Sequence, residues 1–139
     1  MTTLIEMVGL TALGIILAHL VGDYILQSHW MATEKTQHWW PALVHGFFYT
    51  LPYIFVTQSI WALLFIGLTH AIIDRYRLAK HVGWLKNKIG PRRSRPSFSE
   101  AMENGGYNSA TPVFMSTFLM IVTDNTLHLV LNTIAVIWF

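Results

Sequence analysis

The chain has 139 residues, 53% hydrophobic and only 12% charged, with a formal net charge of +2 and a mean hydropathy of +0.44. A soluble domain carries about twice that charged fraction, and a chain of this length holds one domain, residues 1–139. An ordinary soluble fold and a multidomain assembly are therefore excluded, and the absence of cysteine excludes disulfides and thiolate metal sites.

The first apolar run carries no charge from Met7 to Gly22 apart from His19. It predicts a helix over residues 4–30, long enough to cross a bilayer. The first Lys or Arg is Lys35, so the run lacks the positive flank of a cleaved signal peptide and is expected to be a retained span. A second helix is expected over residues 41–56, with Pro41 near its start and Pro52 bending its interior. A tight turn at Thr57-Gln58-Ser59 leads to a third helix over residues 60–78. The segment HVGWLKNKIG then sets Val82, Leu85 and Ile89 on one face and Lys86 and Lys88 off it, as in a short helix lying on a membrane surface. Gly90-Pro91 stops it, and PRRSRP is a basic loop. Ser97-x-x-Glu100 reads as a capping box and Gly105-Gly106 as a stop, enclosing one more short helix. A fourth long helix is expected over residues 112–138. The predicted fold is all-α: a four-helix transmembrane bundle, with short amphipathic cytoplasmic helices in the segment 79–111 between spans three and four.

Eight of the nine Lys and Arg lie between Arg75 and Arg95, and the ninth is Lys35. In an up-down bundle both loops share one side, which the positive-inside rule makes the cytoplasm. The expected setting is a bacterial inner membrane with both termini outside. Trp30, Trp39 and Trp40 would mark the inner interface, Trp61 and Trp138 the outer one.

Each of the three aspartates lies four residues from a histidine in an apolar run: His19-x-x-x-Asp23, His70-x-x-x-Asp74 and Asp124-x-x-x-His128. Such pairs share a helix face about one turn apart. With histidine at about 5% of positions, three such pairings arise by chance roughly once in a thousand. His45 comes from the remaining long helix. At about 1.5 Å per residue, all seven side chains fall roughly 8–15 Å below the inner interface, in the cytoplasmic half of one bundle.

An isolated Asp at such depth costs about 2.5–3.5 kcal/mol on insertion scales. His–Asp hydrogen bonding, protonation or a metal ion would offset that cost. Four histidines and three carboxylates exceed the needs of one tetrahedral ion and suit two ions about 3.5–4 Å apart with a bridging carboxylate. Facing helices of a bundle build such centres from pairs at this spacing. His19, Asp23, His45, His70, Asp74, Asp124 and His128 are the candidate ligands, with zinc first and manganese or iron open. Gln27 and Asn132 continue the stripes and are expected to hydrogen-bond the ligands or to join helices. A metal-free proton or ion relay, and polar contacts that only hold helices together, remain alternatives.

The stretches HLVGDYILQ, LVHGFFYT, HAIID, ENGGYNSATP and DNTLHL, within residues 18–132, resemble the domain of unknown function 3307 family of short bacterial and phage membrane proteins. The resemblance implies that His19, Asp23, Gln27, Lys35, His45, His70, Asp74, Asp124 and His128 are the family's shared polar positions. It implies no activity. The long connection containing PRRSRPSFSEAMENGG is similar to that of phage-type members. A looser similarity is to predicted membrane-bound metal-dependent hydrolases, which also carry His and Asp in their spans.

The function expected is a membrane-embedded metal-dependent hydrolase acting from the cytoplasmic side on a lipid-linked or amphipathic substrate. Asp74 or Asp124 would bridge ions or act as general base, and Lys35 or Arg75 would bind a phosphate or carboxylate. The other readings are a metal-ion or proton transporter and a small, phage-encoded interaction protein with a structural metal. The bilayer is the expected partner, with a second copy of the chain as a further one. Nucleic acid is not, because no stacking platform accompanies the basic loop.

Overall fold

The computed structural model describes residues 3–139, which are mainly helical with no strand among them. In chain order the helices are α1 (Leu4–Leu20), α2 (His29–Glu34), α3 (Trp39–Thr50), α4 (Ile60–Tyr76), α5 (Leu78–Asn87), α6 (Phe98–Glu103) and α7 (Val113–Trp138). A π-helical turn, Val21–Ile25, extends α1, and a 3-10 turn, Leu51–Phe55, extends α3. The chain divides into two compact units, residues 1–75 with 128–139, and residues 76–127.

Among the described residues, two helices are long and apolar enough to cross a membrane: Leu4–Ile25, with mean hydropathy 2.1, and Val113–Trp138, with 1.4. Only 17% of the most apolar window of each is buried. The core helix of a soluble protein would bury most of that surface. Along α1, Leu4, Ile5, Val8 and Leu10 all face outward, more than 60% exposed. The α3 and α4 helices, 12 and 17 residues long, fall short of that length.

In the first unit, the core is formed by Ile15, Ala18, Tyr49, Tyr53, Ala62, Ile66 and Ala135. The α3 and α4 backbones meet at Gly46 and Gly67. A Cβ on Gly46 would lie 2.7 Å from the Gly67 carbonyl oxygen. Small residues at a helix crossing permit that approach, as in membrane helix pairs.

The chain leaves the expected course at three points. The helix expected to reach Trp30 ends at Ile25, because Ser28 starts a new one: its hydroxyl accepts from the Met31 amide at 3.3 Å. Pro52, which has no N–H to give, coincides with the change from α3 to a 3-10 turn. The third helix ends at Tyr76, two residues early, because Arg77 takes a left-handed conformation with φ +50°.

In the second unit, Val82 and Leu85 are exposed on α5 while Ala79 and Gly83 are buried, and Ile89, expected on the same face, is exposed in the turn after the helix. The capping box of α6 is present in both directions: Ser97 Oγ accepts from the Glu100 amide, and the Ser97 amide donates to Glu100 Oε2 at 2.9 Å. That backbone donor, with the Ser109 hydroxyl, holds the Glu100 carboxyl below its usual range. Gly105 and Gly106 have φ of +62° and +98°, which only glycine adopts freely, and they end α6 as expected.

Candidate metal centre

Four of the expected ligands converge in the first unit. Asp23 comes from the π turn after α1, His45 from α3, and His70 and Asp74 from one face of α4. The π turn is defined by the bond from the Leu26 amide to the Val21 carbonyl. Such turns insert one residue into a helix and gather at functional sites. Gly22 lets this turn press against Tyr49, since a Cβ there would lie 2.6 Å from the Tyr49 ring.

The donor atoms form a tight polyhedron. His45 Nε2 lies 3.1 Å from Asp23 Oδ1 and 3.3 Å from Asp74 Oδ2. His70 Nε2 lies 3.2 and 3.1 Å from the same two oxygens, and 2.9 Å from His45 Nε2. A tetrahedral ion with bonds of about 2.0–2.1 Å holds its ligands about 3.3 Å apart. All five separations fall near that edge length. His45 and His70 are 0% exposed, Asp74 6% and Asp23 8%, so the carboxylates lie toward the more open side.

Hydrogen bonding alone satisfies this arrangement poorly. Each neutral imidazole carries one proton, whereas each Nε2 here faces two carboxylate oxygens and another Nε2. Two neutral imidazoles bring at most two protons to these five contacts, and a cation would meet the lone pairs left over. The Nδ1 atoms of His45 and His70 meet no acceptor among the described residues. Any state with a proton there, the cation-bound state included, carries that cost.

His19, His128 and Lys35 lie beside this centre. His19 Nδ1 lies 3.5 Å from Asp23 Oδ2, and His128 Nε2 lies 3.4 Å from Asp74 Oδ1. Both rings are 1% exposed. Lys35 Nζ lies 2.7 Å from Asp74 Oδ2 and donates to Gln27 Oε1 at 2.6 Å. Asn132 Nδ2 donates to the hydroxyls of Tyr49 and Tyr53 rather than to a candidate ligand. Arg75 Nη1 donates to the Thr36 carbonyl at 2.8 Å, and its guanidinium lies 5.9 Å from the Trp39 ring centre. Arg75 thus braces the loop that carries Lys35. Asp124 is half-buried on α7 in the second unit, one turn before His128.

Two tyrosines were not anticipated. The Tyr49 hydroxyl lies 2.8 Å from His19 Nδ1, and its ring stacks on His70 at 3.5 Å. The Tyr53 hydroxyl donates to the Ile15 carbonyl. Their signal is the spacing His45-x-x-x-Tyr49-x-x-x-Tyr53, which puts all three on one side of α3 and its extension.

The chain belongs to the family described as protein of unknown function DUF3307, which matches residues 11–139. No curated protein and no solved structure matches it.

Proposed function

We propose that this DUF3307 protein is a membrane-embedded, metal-dependent hydrolase whose cation is held by Asp23, His45, His70 and Asp74. The observation that carries the reading is the convergence of two imidazole nitrogens and two carboxylate oxygens at the edge lengths of a tetrahedral site. Imidazole with carboxylate suits zinc first, and manganese or iron next. Such an ion supplies Lewis acidity and a water nucleophile at neutral pH.

The protein groups have distinct roles in this proposal. Asp23 and Asp74 direct their other oxygens toward His19 and His128, and Asp74 is the carboxylate best placed to bridge a second ion or to take the water's proton. Tyr49 fixes the orientation of His70 by stacking on it. Asp124, one turn before His128 on α7, is the alternative carboxylate for that role. An apolar cleft of about 320 Å³ runs along α3 and α4, lined by Leu43, Phe47, Leu64 and Leu68 among others, and suits the chain of an amphipathic substrate. The two long outward-facing apolar helices, and the basic residues gathered between Arg75 and Arg95, support a bilayer setting with the basic segment cytoplasmic.

A transporter needs polar groups leading onward from the centre. The hydrogen-bonded chain from His19 passes through Tyr49 to Tyr53 and ends on the Ile15 carbonyl, among core residues. That end favours a site entered and left on the same side.

The test offers p-nitrophenyl phosphate and a short-chain phosphatidate to detergent-purified protein loaded with zinc or manganese. The expected result is turnover above the blank that a chelator abolishes and that Asp74→Asn lacks. Metal-loaded protein that cleaves no ester offered would contradict the hydrolase and leave a structural centre.

A further inference from the structure

Lys35 places an ammonium on an oxygen that the proposed cation needs. Its Nζ lies 2.7 Å from Asp74 Oδ2, the same atom that faces His45 and His70 Nε2 at 3.3 and 3.1 Å. The Lys35 side chain is 15% exposed and that of Asp74 5%, so the ammonium covers the carboxylate from the more open side. Gln27 Oε1 accepts an Nζ proton at 2.6 Å and anchors the group there. Arg75 holds the Thr36 carbonyl, one residue along the same loop.

Charge then decides what loading does. Without a cation, the ammonium offsets part of the two carboxylates' charge. A divalent ion on Asp74 Oδ2 would sit next to that ammonium, and like charges a few ångströms apart in a buried site repel strongly. Two carboxylates, one ammonium and one divalent ion also leave a net positive charge in a poorly solvated place. One oxyanion, bound to the ion and paired with Lys35, removes both problems.

We infer that Lys35 is an ammonium latch: it competes with the metal in the empty site and, once displaced, binds an anionic oxygen group of the ligand beside the metal. The ligand class this assigns is a phosphate or similar oxyanion, carried by a free ion or by a lipid headgroup. The inference rests on the metal reading above. Metal and oxyanion then bind cooperatively in the wild type, each strengthening the other by the same factor. Lys35→Met removes the competitor, so it takes up metal alone more tightly, and it removes the anion's partner, so the cooperativity disappears.

Cobalt, followed by its visible absorption as a stand-in for zinc, is titrated into the full-length protein in a detergent with an uncharged headgroup, with and without inorganic phosphate. Lys35→Met is expected to bind cobalt alone at least about fivefold more tightly than the wild type. Phosphate is expected to raise the wild-type affinity by about tenfold and to leave Lys35→Met unchanged. Gln27→Ala, which keeps the charge and loses only its anchor, is expected to show a smaller change in the same direction, and serves if Lys35→Met does not fold. Repeating the titration in nanodiscs of phosphatidylcholine with and without phosphatidic acid identifies the source: enhancement by the lipid alone means a headgroup, and by phosphate alone a soluble ion. Equal cobalt affinities with no anion effect would overturn the latch while leaving the metal centre standing. Weaker cobalt binding in Lys35→Met would overturn it also, by making the ammonium a support for Asp74. Failure of every form to bind cobalt would remove the metal reading itself.

Discussion

His70→Ala is expected to abolish high-affinity metal binding. Its Nε2 forms three of the five close separations at the centre, and the ring is fully buried between Tyr49 and His128. Changes to residues that merely orient a ligand cost about 10–100-fold in affinity, so loss of a ligand should exceed about 100-fold. A ligand that binds only the folded chain stabilises it by about 2.7 kcal/mol at 100 times its dissociation constant. Saturating zinc should therefore raise the wild-type melting temperature, leave that of His70→Ala unchanged, and lose its effect on the wild type when chelated. His45→Gln should behave alike with a smaller cavity. His38→Ala, at a side chain 67% exposed and paired only loosely with Glu34, should keep the full metal response. A zinc-induced rise preserved in both His70→Ala and His45→Gln would mean that the ion binds elsewhere.

Gly46→Val is expected to disrupt the crossing of α3 and α4. Its new Cβ would meet the Gly67 carbonyl oxygen at 2.7 Å and the Ala71 Cβ at 3.3 Å. The first neighbour is backbone and has no side chain to swing aside, so the helices must separate. Overpacking typically costs about 1–3 kcal/mol, and this change should lie at or above the top of that range. The damage should reach the centre, because Gly46 follows His45 directly and Ala71 follows His70. Gly9→Ala is the control: nothing lies within 4 Å of its Cβ position, and alanine in a helix is favoured over glycine by up to about 1 kcal/mol. Thermal melts and size-exclusion profiles in detergent should show Gly46→Val largely unfolded or aggregated and Gly9→Ala unchanged or more stable.

Much of the centre was legible because helical spacing is a rigid rule. His70 and Asp74, four apart, point to one place on α4 and meet at 3.1 Å. His45 stood alone in its run, yet an imidazole inside an apolar helix needs partners, and it lies at the middle of the cluster, fully buried. Local backbone events were less visible. The π turn at Val21–Ile25 contains no proline, and a single Gly22 is tolerated inside a helix, so the run reads as one continuous helix. Ser28 carries a signal, as a good N-cap residue, but Met31 stands where a capping box would place Glu or Gln. That break matters for the site, because the segment after it sets Lys35 against Asp74. Arg77, a non-glycine residue with positive φ, likewise ends α4 where periodicity continues it. The caps of α6 were readable because their signal is local, in Ser97, Glu100 and the two glycines.

Metal content tests the account most directly. Elemental analysis of detergent-purified wild-type protein, prepared without chelators beside His70→Ala, should find about one or two atoms of zinc, manganese or iron per chain. The His70→Ala protein, carried through the same steps, should hold almost none. Fewer than about 0.3 metal atoms per chain in folded wild-type protein, unchanged after incubation with each of these ions, would contradict a cation shared by Asp23, His45, His70 and Asp74.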